Sequence, residues 1–359
     1  MSSKKVAVVG AGLMGRLMAE KLSLLDYEVH LFDKSDRSGS SSCGMAAAAM
    51  LAPISEADKA TATVVKLGLA SLPLWRQMID ALKDPVYFQQ AGSLFVAHPQ
   101  DLVELQHYQQ KISREWSTDY YQLLDQSAIA ELEPALADRF HHGIYLPVEG
   151  QIANDEWFQA IAKRLVAQGV QWFENSDVTA VTPHALNVKN QTHEFDLVVD
   201  CRGLGAKGDI TQLRGVRGER FRLYAPNASL NRPVRLMHPR YHIYLVPRPN
   251  KQFVLGASEI ESDDMSPISV RSTLELLSAA YSVDPAFGEA RIIESVVNCR
   301  PALPDNEPRI YFQPGLMRIN GLYRNGYLVA PAVAENALAL LHEQPLTFPE
   351  IVSRNCEDK

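Results

Sequence analysis

Residues Lys4 to Ala19 read KKVAVVGAGLMGRLMA, and this stretch decides the fold. Lys4 to Val9 is a short β-branched apolar run, the signature of a strand buried on both faces of a parallel sheet. The turn Gly10-Ala11-Gly12-Leu13-Met14-Gly15 follows, and RLMAEKLSLL continues with a helical apolar period. Val29 to Phe32 forms a second strand, closed by Asp33. Strand, glycine turn, helix and strand make one βαβ unit of the dinucleotide-binding kind. Gly10 permits the tight turn, Gly12 lets a pyrophosphate approach the backbone, and Gly15 lets helix and strand pack closely. Leu13 and Met14 open a helix whose free amides and positive dipole end face the phosphates. Asp33, 18 residues beyond Gly15, accepts hydrogen bonds from a ribose diol, with Lys34 beside it.

The glycine motif alone leaves NAD and FAD open. Two features favour FAD. Ser38 to Pro53 (SGSSSCGMAAAAMLAP) consists mostly of small residues where a nicotinamide enzyme continues with further βα units. Backbone around Ser41, Ser42, Ala48, Ala49 and Met50 can therefore pass close to a bulky isoalloxazine ring. The second feature is the last strand–turn–helix. Its turn, Tyr323-Arg324-Asn325-Gly326-Tyr327, brings amides and a helix N-terminus to a ligand, where a dipole favours negative charge on a flavin.

The remaining chain bounds the answer. Its 359 residues suffice for two lobes, and 46% hydrophobic with 21% charged residues is ordinary globular composition. A net charge of −7 gives no nucleic-acid footprint. No stretch approaches the roughly 18 apolar residues of a membrane span, so stable membrane insertion is not expected. Cys43, Cys201, Cys299 and Cys356 form no CxxC pair. They indicate neither a zinc site nor a redox dithiol, and they suit a reducing cytoplasm. Homo-oligomerisation stays open. Helices are expected over Ala57–Leu82, Asp101–Glu115, Asp155–Gln168 and Ser269–Tyr281. Strands are expected over Ser93–Ala97, Arg220–Ala257, Ile292–Val297, Arg309–Phe312 and Leu316–Asn320.

Several further stretches carry a family resemblance. VAVVGAGLMGRLMA, the segment ending AAAAMLAP, YHIYLVPR followed by FVLGAS, NCRPALPDNEPRI and GLYRNGYLVAPA occur in order over nearly the whole chain. Together they resemble the glycine oxidases of thiamine biosynthesis (ThiO), members of the D-amino-acid oxidase group. The resemblance implies an α/β fold: an FAD-binding Rossmann-like domain with an inserted α+β substrate domain on a mainly antiparallel sheet. The expected division is 1–86, 145–215 and 304–359 for FAD, and 87–144 and 216–303 for substrate. It further implies that Arg300 clamps a substrate carboxylate and that Tyr244 hydrogen-bonds it. His242 lies on the same strand face, Met50 lines the pocket, Arg324 lies near the flavin, and the backbone of Val178 meets the adenine side.

A planar guanidinium beside Pro301 is also what elementary chemistry chooses for a carboxylate, through two parallel hydrogen bonds. The sequence departs from the family at Asp200-Cys201-Arg202-Gly203, at Val296-Val297-Asn298-Cys299, and at Glu259, where some relatives carry methionine. Cys299 reads as a plain buried thiol, so the FAD is expected to be non-covalent. No Asp or Glu stands out as a general base, and hydride transfer from Cα of a neutral amine needs none. The expected activity is FAD-dependent oxidative deamination of glycine, with sarcosine or small D-amino acids as further substrates. Oxygen is the acceptor, and the products are imine or glyoxylate, ammonia and hydrogen peroxide. The imine would serve the thiazole of thiamine. Two other readings stay open: a dehydrogenase with a non-oxygen acceptor, and a non-catalytic FAD-binding assembly protein.

Overall fold

The apolar run Lys4–Val9 becomes an interior strand, parallel to both its neighbours. Val6, Val8 and Ala7 are fully buried there. The computed structural model describes residues 3–239 and 243–353. Lys4–Val9 lies between Leu197–Asp200 and Tyr27–Phe32 in a seven-stranded sheet. Gln171–Phe173 extends it on one side, and Leu316–Asn320, Arg309–Gln313 and Val352–Ser353 on the other. Three distant stretches of chain thus supply one sheet.

The helices Leu13–Ser23, Ala62–Asp80, Asn154–Ala167 and Gly326–Leu341 contribute to a shared apolar core against this sheet. At its centre the Trp75 ring stacks on Tyr327 and meets Trp157 edge-on, at centroid distances of 5.7 and 5.5 Å. Trp75 also donates its indole N–H to the Tyr327 carbonyl at 2.6 Å. That bond ties the first residues of the closing helix to the body of the molecule.

The second sheet has eight strands, and Arg214–Tyr224, next to the edge, pairs antiparallel with both Gln252–Gly256 and the edge strand Arg291–Ala302. Ile243–Arg248, Val234–Met237, Ser93–Ala97, His142–Leu146 and Gln122–Asp125 complete it. Every pairing is antiparallel except Val234–Met237 with Ser93–Ala97. The expected mainly antiparallel sheet is present.

Three expectations about elements are corrected. The helix expected over Ala57–Leu82 is narrower, running Ala62–Asp80. Pro53–Glu56 forms a separate turn of helix, and the long helix starts at Ala62, with the Thr61 hydroxyl accepting from the Val64 amide at its N-terminus. The strand of Ile292–Val297 runs on to Ala302, so Arg300 is a strand residue in register with Val216. The antiparallel block begins at Arg214 rather than Arg220.

Candidate active site

The two sheets meet over a cavity of about 990 Å³, lined by residues from both. One end is made by backbone. Gly10 has φ +93°, and a side chain there would stand 2.7 Å from the Cys201 carbonyl oxygen. At Gly15 a Cβ would lie 1.7 Å from the Gly10 oxygen, so helix and turn touch through the missing side chain. The Asp33 carboxylate accepts from the Ala11 and Ser35 amides at 2.5 and 2.7 Å, which presents it beside the glycine turn. Arg16 is fully buried and braces the turn from behind, donating to the Ala11, Phe158 and Arg37 carbonyls. Burial lowers its pKa to about 10, which still leaves it charged at neutral pH.

Gly10, Gly12, Leu13, Met14, Asp33, Lys34, Ser41, Ser42, Ala48, Ala49 and Met50 all line the cavity. So do Tyr323, Arg324, Asn325, Gly326 and Tyr327 from the closing turn and helix. Ser42 caps the short helix Cys43–Ala46 by accepting from the Gly44 amide. Two residues expected at the cofactor lie outside the lining. Gly15 stands behind the turn, packed against the Gly10 oxygen. Val178 points its side chain into an apolar cluster with Ala7, Val9 and Phe32, and its carbonyl accepts from Arg202 at 3.5 Å. His242 falls outside the described residues.

The other end is made by side chains. Arg300 and Tyr244 both line the cavity, on strands of the eight-stranded sheet. Each is given room by a glycine on the strand beside it. A Cβ at Gly218 would lie 2.4 Å from Arg300 Nη2, and one at Gly256 would lie 2.4 Å from the Tyr244 hydroxyl. The guanidinium of Arg300 donates to the Arg217 and Ser258 carbonyls at 3.2–3.3 Å. Among the described residues no carboxylate forms an ion pair with it. A cavity-facing cation held only by main-chain oxygens is suited to an anion from outside.

Four charges stand nearby. Arg324 pairs with Glu56 at 3.1 Å and with Glu259 at 2.8 Å, and Arg235 pairs with Glu56 at 3.0 Å. The Tyr323 hydroxyl donates to the second Glu259 oxygen at 2.6 Å. Burial pushes the Glu56 carboxyl up, but Arg324 and Arg235 outweigh it and hold it below the ordinary range. Glu259 is also held low: its burial is outweighed by Arg324, by the Tyr323 hydrogen bond, and by Lys59 and Arg300. Both are ionised and committed, which makes them weak proton acceptors.

Sequence reasoning did not assign Glu56, Arg235, Gly218 or Gly256. It also missed Arg220 and Arg248, which reach from the second sheet to the small-residue segment. Arg220 donates to the Met45 and Ala46 carbonyls, and Arg248 to the Ala48 carbonyl. A signal existed for these two. Each is an arginine beside core strand positions, Arg220 next to Phe221 in RFRLY and Arg248 at the end of YLVPR. Cys43 and Cys299 also line the cavity, and burial raises the pKa of both thiols, so neither offers a thiolate at neutral pH.

Glycines and small residues leave the cavity long enough and its backbone bare enough for a dinucleotide, with the phosphate end at a helix N-terminus. The residues present fit FAD. The comparisons agree. A family model of FAD dependent oxidoreductases (DAO) matches residues 5–340. The protein named as a thiamine biosynthesis oxidoreductase, ThiO, of Rhizobium etli is 38% identical over 342 residues, which is 95% of this chain and 97% of that protein. The bifunctional protein ThiO/ThiG of Synechocystis is 26% identical over 96% of this chain, which spans 53% of it. Among solved structures, glycine oxidase from Geobacillus kaustophilus superposes with a TM-score of 0.84 at 22% identity, covering 98% of this chain and all of that one.

Proposed function

This chain belongs to the DAO family of FAD-dependent oxidoreductases, and on that premise we propose that it oxidises a small amino acid, glycine foremost, with oxygen as electron acceptor. Sarcosine and small D-amino acids are the further substrates. Its products are the imine, which hydrolyses to glyoxylate and ammonia, and hydrogen peroxide. The observation that carries this reading is Arg300: a cavity-facing guanidinium with main-chain partners, a glycine cut away beside it, and Tyr244 on a neighbouring part of the same sheet.

Bound FAD supplies the acceptor for a hydride leaving the substrate Cα. Arg300 holds the substrate carboxylate by two parallel N–H donors. Tyr244 donates its hydroxyl to the same carboxylate. These two contacts orient Cα, and positioning carries most of the rate. The Tyr244 and Arg300 side chains are confined by the strands they stand on, so little ordering remains to be done on binding. The reacting amine enters neutral from solution, since Glu56 and Glu259 are engaged by guanidinium groups. Gly10, Gly12, Asp33, Lys34, Ser41, Ser42, Ala48, Ala49, Met50 and the 323–327 turn are proposed to hold the cofactor. The thiamine biosynthesis name of the Rhizobium etli relative supports a role in that biosynthesis, and we propose that the imine feeds the thiazole and that the reaction takes place in the cytoplasm.

Among the described residues no helix is long and apolar enough to cross a membrane. The test is anaerobic addition of glycine, sarcosine and D-alanine to the FAD-loaded protein. Loss of the yellow flavin absorbance, then recovery in air with stoichiometric peroxide, is expected. Bleaching that air does not reverse within a turnover would show a dehydrogenase. Colour that persists with every amino acid would show a flavin held for structure.

A further inference from the structure

Resting on that reading, several guanidinium groups line the cavity, and two of them, Arg300 and Arg324, differ in one respect. Arg300 has only main-chain acceptors, whereas Arg324 is already filled by Glu56 and Glu259. Glu259 directly follows Ser258, whose carbonyl receives both Nη atoms of Arg300 at 3.2 Å. The carboxylate that fills Arg324 is therefore built onto the peptide that fixes Arg300. Its own side chain is 41% exposed and lines the cavity. Tyr323 takes the left-handed backbone region, φ 50°, and its hydroxyl holds the other Glu259 oxygen.

We propose that Glu259 is a specificity-determining residue that occupies Arg324 with the protein's own carboxylate and so restricts substrates to those carrying a single acid group. The charges support this. Glu56 and Glu259 pair with Arg235 and Arg324, whereas among the described residues no carboxylate pairs with Arg300, whose charge is open to a substrate carboxylate. A substrate with a second carboxylate meets donors already spent and the negative charge of Glu259. Repulsion of the wrong ligand is a means of discrimination in itself. Removing the Glu259 charge while keeping its shape converts the balanced cluster into a cationic one, which attracts a second acid group.

The experiment compares kcat/KM for N-methylglycine and iminodiacetate, which differ by a carboxylate on the N-substituent, in FAD-loaded wild type and Glu259→Gln. The ratio of iminodiacetate to N-methylglycine is expected to rise about tenfold or more, as charge placement at this range in a partly buried site allows. A ratio within about twofold of wild type overturns the proposal. A merely structural ion pair would lower both values together and leave the ratio unmoved. Should Glu259→Gln not load FAD, the wild type still decides: perturbation of its flavin spectrum by methoxyacetate should need about tenfold less ligand than by oxydiacetate. Equal or tighter binding of oxydiacetate overturns the proposal. If no amino acid bleaches the wild-type flavin, the oxidase reading fails, and the two ligands still test Glu259 by binding alone.

Discussion

The two ends of the cavity are made from different materials. At the cofactor end the functional groups are amides and missing side chains: Gly10 against Cys201, Gly15 against Gly10, and Asp33 pinned by two amides. At the substrate end they are charges brought together from far along the chain. Glu56 meets Arg235 across 179 residues and Arg324 across 268. The first kind of site tolerates almost no change of shape and is indifferent to most changes of charge. The second kind should behave in the opposite way, and substitutions can break that contrast.

The largest effect is expected at Gly15. In Gly15→Ala a methyl would have to occupy space 1.7 Å from the Gly10 oxygen. The helix must then leave the strand, at a cost of about 3 kcal/mol or more. The purified variant should carry little or no flavin and melt well below the wild type. A flavin content equal to wild type would show that the turn yields, against the contrast drawn here.

Next comes Glu56→Gln, which keeps shape and removes charge. The Glu56 side chain is 8% exposed and its partner Arg235 9%. Leaving buried guanidinium groups short of a counterion costs about 3 kcal/mol. The pH dependence follows from sign. The folded pKa of Glu56 lies below its ordinary 4.5, so its stabilisation is fully present above 4.5 and is lost as pH falls through the lower folded value. The difference in stability between wild type and Glu56→Gln should therefore shrink below pH 4.5. Chemical denaturation at pH 7 and pH 4 measures it. A constant difference would mean that Glu56 does not act through its charge.

Tyr244→Phe should be the mildest. One hydrogen bond to the substrate is worth about 1 kcal/mol, or roughly fivefold in kcat/KM. Flavin content should not change. A hundredfold loss would make Tyr244 more than a carboxylate contact.

The same contrast explains what could be read in the sequence. The glycine turn, its helix and Asp33 fall within 24 consecutive positions, Gly10 to Asp33, and their spacing is the geometry. Arg300 beside Pro301 and Tyr244 in YLVPR were legible through chemistry and through family likeness. Gly218 and Gly256 were not, because each acts only by what stands on the strand next to it. Glu56 ends the short helix Pro53–Glu56, and nothing local distinguishes it from a solvent-facing acid until Arg235 and Arg324 arrive. The run of small residues at Ser38–Pro53 signalled close approach, but not that Arg220 and Arg248 hold its carbonyls from the second sheet. Val178 was expected to meet the cofactor through its backbone; only the fold shows that its side chain turns into the apolar cluster with Ala7, Val9 and Phe32.

Arg300 is proposed as the carboxylate clamp at a site where FAD is held independently. Anaerobic titration of FAD-loaded Arg300→Ala with glycine, read by flavin absorbance, tests this most directly. Full flavin content is predicted, with the glycine concentration needed for reduction raised by a hundredfold or more, in line with the roughly 2–5 kcal/mol that an ion-paired contact supplies. Reduction at wild-type glycine concentrations and rate would contradict it.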